Sequence, residues 1–331
     1  MHIALLHDSV TAADAADAQD VLIQAEAITQ ALKLLGHECS HHACNLNLEA
    51  VLAKLRTRQP DLVFNLVESL AGQGRLIHLL PACLEVAGIH FTGSDSVALL
   101  LSSNKLLAKQ RLHQAGIATP PWFELAGANT AAQQELAGKW IIKSVWEHAS
   151  LGMDATSVQS PGSLAALLGL LQERYHKPGG PFFAEAYIEG REFNVSLLAA
   201  AAGGVEVLPV AEIVFENFPA DQPEIVDYAA KWEEDSFACR HTRRAFPGSK
   251  DATLVARLQA LALQCWHTLQ LRGYARVDFR VDNTGRPWVL EVNANPCLAQ
   301  DAGFAAALGR AGIAYHRAIA RIIKAAQAGE Q

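Results

Sequence analysis

Hydrophobic positions along the 331-residue chain switch between a period of two and a period near 3.6, which predicts an α/β protein. The run Ile3-Ala-Leu-Leu-His7 is short and apolar almost to its end, as in a strand buried on both faces. Over 14–35, Val21, Leu22, Ala25, Ile28, Leu32 and Leu35 fall at helical spacing, and Gly36 closes the helix. The alternation continues with a strand near 38–44, a helix over 48–57 and the strand Asp61–Asn65. A helix over 73–87, a turn at Gly88 and an extended Ile89–Gly93 follow. Such units predict a parallel sheet covered by helices, with ligands at the carboxyl ends of its strands. No G-x-G-x-x-G follows the first strand, so a dinucleotide fold of the usual kind is unsupported.

Residues 94–115 read as helical up to Gly116, and Thr119-Pro-Pro121 as a linker. Beyond it come a strand over Gly138–Lys143, a turn over Glu147–Gly152, a helix near 162–175 and a Pro-Gly-rich loop over 177–181. Strands over 182–188 and 193–202 follow. The stretch 216–247 is polar and without period, which in a compact protein marks a functional loop. Helices over 251–271 and 309–328 flank a hairpin spanning Tyr274–Pro296, and no internal repeat is present.

Composition narrows the class. Half the residues are hydrophobic and 18% are charged, as in ordinary soluble globular proteins. A net charge of −7 argues against a general nucleic-acid binder, which would carry a basic face. The opening Met1–Asp8 lacks a basic lead-in and a signal-length apolar run, and nothing approaches the roughly 20 apolar residues of a membrane span. A cytoplasmic protein is therefore expected, with no nucleic-acid or membrane partner. The six cysteines form no C-x-x-C pair and read as reduced thiols. His41, His42 and His241 lack partners at metal-ligand spacing and read as surface or satisfied side chains.

The hairpin carries the chemistry. Arg276, Asp278 and Arg280 share one strand face, Val277, Phe279 and Val281 the other. On the return strand Glu291 and Asn293 are again two apart. Pairing the strands gathers Asp278, Glu291 and Asn293 as three oxygen ligands suited to magnesium, or to manganese, with Arg276 a fixed positive charge beside them. A lone polar hairpin face is ordinarily only solvated. Other stretches change that balance. Lys105 and Lys143, near a helix and a strand end, are placed to hold phosphate oxygens as point charges. The backbone of Glu185-Ala186-Tyr187-Ile188 could meet an adenine edge, and Glu192 could accept from ribose hydroxyls.

In this order along the chain, these features resemble the ATP-grasp superfamily and, within it, the D-alanine–D-alanine ligases. The resemblance is strongest over Tyr274–Pro296, Phe182–Glu192, Phe91–Ser94 with Asn104-Lys105, and Val226–Lys231. It implies an ATP-grasp fold (α/β, in parts α+β) of three domains, drawn at 1–93, 94–181 and 182–331, with ATP gripped between two α+β domains. It also implies ATP and magnesium, two small amino-acid substrates and a homodimer. The implied reaction activates one carboxylate as an acyl phosphate, which the amine of a second substrate then attacks. Arg276 would stabilise the tetrahedral intermediate. The 216–247 stretch, with Tyr228, Lys231 and Trp232, would be a lid, and the Glu147–Gly152 turn, with Ser150, would fold over the phosphates.

The departures fall where substrates are chosen. Asp20 stands where the family has a glutamate for the first amino group. Glu68-Ser69 replaces a histidine-glycine pair, and Glu147-His148-Ala149-Ser150 replaces E-G-S-S. Trp232 takes a lid position usually held by tyrosine. The run Asn293-Ala-Asn-Pro-Cys297-Leu-Ala-Gln-Asp301 lacks the serine that would grip the second carboxylate. Cys297 is expected to act through its backbone while its thiol merely packs. The expectation is a carboxylate–amine ligase with a rebuilt amino-acid pocket. A D-alanine–D-alanine ligase proper and a non-catalytic ATP-binding regulator are the alternatives.

Overall fold

The computed structural model describes residues 1–11, 13–125, 136, 138–147, 150, 152–175 and 179–328. Its first sheet comprises β1 (His2–Asp8), β2 (Glu38–Cys44) and β3 (Leu62–Asn65), parallel and ordered β2-β1-β3. Helices α1 (Ala16–Leu34) and α2 (Leu48–Arg58) make the crossovers. The apolar run of β1 has two outlets. Ile3 and Leu5 pack into a core shared with Ala25, Ile28 and Leu32 of α1, and Ala4 and Leu6 into another with Val51 and Leu55 of α2. Leu22, counted at helical spacing, is 43% exposed, because the buried stripe of α1 runs through Val21, Ala25 and Ile28.

Helix α3 (Leu79–Val86) starts later than the periodicity indicates, after a 3₁₀ turn at Gly74–Leu76. The expected strand at 89–93 is a single bridge, Phe91 to Val63. The helical region 94–115 is two helices, α4 (Ser96–Ser103) and α5 (Lys105–Gln114). Asn104 separates them in an extended conformation, and its side chain accepts the Leu106 and Leu107 N–H groups. A side-chain cap of this kind starts a new helix, and it puts Lys105 at the first position of α5.

The second sheet is antiparallel, ordered β4-β7-β5-β6, from β4 (Trp122–Glu124), β5 (Trp140–Ser144), β6 (Val158–Gln159) and β7 (Phe182–Ala186). Leu167 and Leu171 of α6 (Leu164–Arg174) fill its apolar face against Trp140 and Phe182. Although β7 follows the expected boundary at 182, it hydrogen-bonds within this sheet.

The third sheet holds β8 (Gly190–Ala199), β9 (Val205–Val207), β10 (Ala211–Phe215), β11 (Thr242–Ala245), β12 (Tyr274–Asp282) and β13 (Pro287–Asn293). Its order is β11-β10-β8-β12-β13, with β9 on β8. Val277, Phe279 and Val281 face a core with Leu258, Ala262 and Cys265 of α9 (Ala252–Thr268). The alternating polar residues are thereby turned toward the second sheet. Gly190 begins β8 at φ +136°, where a Cβ would collide with the Val281 carbonyl. That approach brings Glu192 onto the strand itself, opposite Arg280, rather than after a turn.

The stretch 216–247 is more regular than its composition indicates. It contains α7 (Tyr228–Trp232), α8 (Phe237–His241) and β11, which pairs with β10 through the polar sequence Thr-Arg-Arg-Ala. The C-terminal helix is likewise two, α10 (Gly303–Arg310) and α11 (Tyr315–Gln327). Among the described residues no helix is long and apolar enough to cross a membrane. All six cysteines are free thiols. His41 hydrogen-bonds Thr29, His42 hydrogen-bonds Ser40, and His241 hydrogen-bonds the Phe237 carbonyl.

Candidate active site

A cavity of about 460 Å³ lies between the second and third sheets and reaches the first. It is lined by each of the fourteen residues singled out in the sequence: Asp20, Lys105, Lys143, Glu147, Ser150, Glu185, Ala186, Ile188, Glu192, Lys231, Arg276, Asp278, Glu291 and Asn293.

The hairpin supplies one wall. Opposite residues across β12 and β13 are Arg276 with Asn293 and Asp278 with Glu291. The register then slips, so that Phe279 faces Val289 and Leu290 is an extra residue. This β-bulge aims both Leu290 and Glu291 into the cavity, one apolar and one charged. Asp278 is the most heavily bonded carboxylate here. Arg276 clasps both its oxygens at 2.8 Å, and Asn194 Nδ2 donates to Oδ1 at 2.7 Å. Glu291 Oε1 lies 4.0 Å from the same guanidinium. The Asn293 side-chain oxygen Oδ1 accepts the Asn295 N–H at 3.1 Å. Burial pushes the Asp278 pKa up, against the opposing pull of Arg276. Two carboxylates and an amide oxygen facing one cavity form the hard-oxygen set that magnesium accepts, so the residues fit the ion.

The opposite wall holds the lysines, already engaged. Buried Glu185 accepts from Lys143 at 2.5 Å and is paired through its other oxygen with Lys109 at 2.7 Å. Burial alone would raise its pKa, but the two ammonium charges hold it below the usual carboxylate range. Lys109 also donates to Thr119 Oγ1 at 2.7 Å and the Pro120 carbonyl at 3.0 Å. It is a residue the sequence reading missed, although it lies one helical turn beyond Lys105. Burial lowers the Lys105 pKa, and its ammonium donates to the Glu147 carbonyl at 2.7 Å. With three N–H groups each, Lys105 and Lys143 keep capacity for further oxygens, whereas Lys109 spends all three on Glu185, Thr119 and Pro120.

The adenine expectation needs one correction. The Ala186 N–H is taken by the Pro121 carbonyl at 2.8 Å and that of Tyr187 by the Lys139 carbonyl at 2.9 Å. Among the described residues no hydrogen bond holds the Ile188 N–H, which leaves that group for a ligand edge. Ile141, Met153, Ile225 and Leu290 supply apolar lining. Glu192 accepts from buried Arg280 at 3.0 Å through one oxygen. Arg280 was placed on the hairpin's polar face but given no role, and Asn194 was missed. Each lies two residues along a strand from a recognised site residue, a signal that was available.

Two contacts tie the 216–247 stretch across the cavity. Ser150 donates to the Val226 carbonyl at 2.6 Å, and the Tyr228 hydroxyl to Asp17 of α1 at 3.0 Å. Lys231 lines the cavity from α7, where desolvation by the surrounding protein lowers its ammonium pKa and the carboxylates of Glu291 and Asp278 oppose that shift. His148, Ala149 and Leu151 of the expected turn lie outside the described residues.

The end of the cavity nearest β1 is differently built. Gln24 donates one amide group to both Asp20 (3.0 Å) and Glu68 (3.1 Å), and accepts the Leu298 N–H at 3.0 Å. Burial pushes Glu68 up to about 7, helped by the charges of Asp8 and Asp20 and opposed by Gln24 and Arg276. The Cys297 thiol does more than pack: it lies 3.1 Å from Asp20 Oδ2, with its pKa raised mainly by burial. Arg244 of β11 also lines the cavity, its guanidinium 3.6–3.9 Å from where a Cβ on Gly303 would stand.

A family model described as "D-ala D-ala ligase C-terminus" matches residues 112–324. An uncharacterized protein, y4sG, of Sinorhizobium fredii is 30% identical across 91% of this chain and 87% of its own. A D-alanine–D-alanine ligase of Methylococcus capsulatus is 31% identical across 83% of this chain and 81% of its own. A crystal structure of D-alanine–D-alanine ligase from Bacillus anthracis complexed with ATP superposes with a TM-score of 0.74. At 21% identity, and covering 99% of this chain and 97% of that one, it establishes the ATP-grasp fold. The chain therefore belongs to the D-alanine–D-alanine ligase family of ATP-grasp ligases.

Proposed function

We propose that this ATP-dependent ligase joins two amino-acid-type substrates through an acyl phosphate, with a donor pocket altered from that of a D-alanine–D-alanine ligase. One observation carries the reading. A single cavity holds the complete set of phosphate- and metal-directed side chains at one end and an unusual Asp20–Gln24–Glu68–Cys297 cluster at the other.

In this reading Lys105 and Lys143 hold the phosphates, Glu192 offers its second oxygen to the ribose, and the Ile188 N–H meets the adenine edge among apolar walls. Phosphoryl transfer responds chiefly to positioning and charge neutralisation, which these fixed ammonium groups supply. Asp278, Glu291 and Asn293 would hold magnesium, which supplies further neutralisation of phosphate charge when bound. A donor carboxylate oxygen attacks the γ-phosphorus, the bond to the ADP oxygen breaks, and an acyl phosphate forms. The neutral amine of the acceptor then attacks the acyl carbon. The C–O bond to phosphate breaks, inorganic phosphate leaves and the amine loses a proton. Arg276, locked in orientation by Asp278, faces the charge that develops on the acyl oxygen. Asp20 takes the donor ammonium. The strap through Val226 and Tyr228 excludes water, which would otherwise hydrolyse the acyl phosphate.

The similarity to named D-alanine–D-alanine ligases over most of the chain favours a second reading, that both substrates are D-alanine. ATP-dependent phosphate release assayed across D- and L-amino acids, singly and in pairs, separates the two. The altered-pocket reading expects the best pair to include a residue other than D-alanine. Robust turnover with D-alanine alone overturns it. A homodimer, the family's expectation, is checked by sedimentation of the purified protein.

A further inference from the structure

We infer that Arg244 selects the second, amine-bearing substrate by its carboxylate. The inference rests on the ligase reading above and deepens it. Arg244 projects from β11 into the cavity lining shared with Arg276, Asp301, Ala302 and Gly303. Its neighbour on the strand, Arg243, is ion-paired with Glu216. Among the described residues, no hydrogen bond or ion pair holds the Arg244 guanidinium. Arg244 is solvent-exposed on the cavity lining, so its planar fork is open to an incoming carboxylate.

Its electrostatic surroundings favour an incoming anion. Partial desolvation lowers the Arg244 pKa, the charge of Arg276 lowers it further, and Asp301 opposes both. Two guanidinium groups turned to one cavity repel, and a carboxylate between them relieves that repulsion. Gly303 carries no side chain, and a Cβ there would stand 3.6–3.9 Å from the Arg244 guanidinium. The preceding Ala302 begins α10 without a side-chain cap. This is the segment where the serine expected to grip the second carboxylate is missing. Arg244 places a stronger, bidentate anion ligand beside the same stretch, reached from a different strand.

The test separates acceptor recognition from acyl-phosphate formation. D-Alanine and L-alanine serve as probe donors, followed by the wider amino-acid panel. Each acceptor is offered as the free acid and as its amide, and hydroxylamine serves as a small uncharged trap that yields a hydroxamate. The wild-type protein is expected to prefer the acid over the amide. In Arg244→Gln the acceptor KM should rise roughly 100-fold, as for loss of a charge-assisted pair. The acid-over-amide preference should vanish, and ligation should fall by a similar factor relative to hydroxamate formation. Arg244→Lys should recover part of the preference, and thermal melting checks that both variants fold. An undiminished preference in Arg244→Gln, or equal use of acid and amide by the wild type, overturns the role of Arg244. Absence of hydroxamate from every amino acid in the wild type overturns the ligase reading itself, and this inference with it.

Discussion

The two ends of the cavity are built on different principles. At the end assigned above to the nucleotide most charges are countered in contact, Asp278 by Arg276, Glu185 by Lys143 and Lys109, Glu192 by Arg280, while Lys105 is held by the Glu147 carbonyl. At the amino-acid end Asp20 and Glu68 share one uncharged amide, and Arg244 has no bonded partner among the described residues. Groups neutralised within the protein keep their geometry whatever the ligand. Groups left in excess are settled by whatever binds, so they decide what binds. Phosphate and metal chemistry needs the first kind, and substrate choice needs the second.

The sharpest way to break this comparison is to remove a ligand from the hairpin. Glu291→Ala should leave the fold intact, since the side chain is partly exposed and lies 4.0 Å from Arg276. It should lower magnesium-dependent phosphate release by about 1,000-fold, the scale of losing a preorganised charge at phosphoryl transfer. Full turnover in the variant, measured at saturating magnesium, would show that the oxygen cluster is not the metal site.

Next in size is the lysine wall. Glu185→Gln removes the shared negative charge and leaves Lys109 and Lys143 facing each other without compensation. Breaking a buried pair from one side costs about 3–5 kcal/mol, and urea denaturation should show a loss of that order. Both lysines are already bonded, and the variant tests whether the triad is structural as well as nucleotide-binding. Loss of ATP affinity without loss of stability would reverse that assignment.

These buried partners mark where sequence reading stops. The hairpin was legible because apolar and polar residues alternate strictly over Arg276–Asp282 and Asp282–Gly285 supply turn chemistry. Lys109 was not, since nothing in Lys105-Leu-Leu-Ala-Lys109 distinguishes a buried lysine from a solvated one. Gln24 bonds Leu298, 274 positions away, and no local pattern encodes such a pair. The strand β11 escaped because an edge strand reading Thr-Arg-Arg-Ala has no apolar period. The break at Asn104 was available as an N-cap signal and was passed over. Local periodicity reports which face is buried, whereas the partner of a buried charge is a property of the tertiary fold.

A pH experiment sharpens the contrast at the amino-acid end. Glu68 is raised from its ordinary 4.5 to about 7 by burial. The folded state therefore favours the protonated form, and the associated stability is present at pH 4.5 and lost as pH rises through 7. Unfolding free energy should fall by up to about 3 kcal/mol across that window. Glu68→Gln should flatten the dependence. A wild-type profile that rises or stays level there would mean Glu68 is ionised and satisfied, and that this end is as well paired as the other.

The smallest expected effect concerns Cys297. Its thiol contacts Asp20 at 3.1 Å and accepts from the Ala299 N–H at 3.4 Å, and burial raises its pKa, so at neutral pH it is a protonated donor and no nucleophile. A thiol is a weak hydrogen-bond donor, and Asp20 keeps its bond from Gln24 when the thiol is gone. Cys297→Ala should therefore leave acyl-phosphate formation, read as hydroxamate, within about threefold of wild type and raise the donor KM by a similar factor, as befits a bond of ~0.5 kcal/mol. Cys297→Ser, which keeps a donor of similar size, should restore the donor KM. If both substitutions abolished hydroxamate formation without altering the melting temperature, the sulfur itself would be chemically engaged. The amino-acid end would then be a reaction centre in its own right, and the division between a neutralised catalytic end and a selective substrate end would no longer describe the cavity.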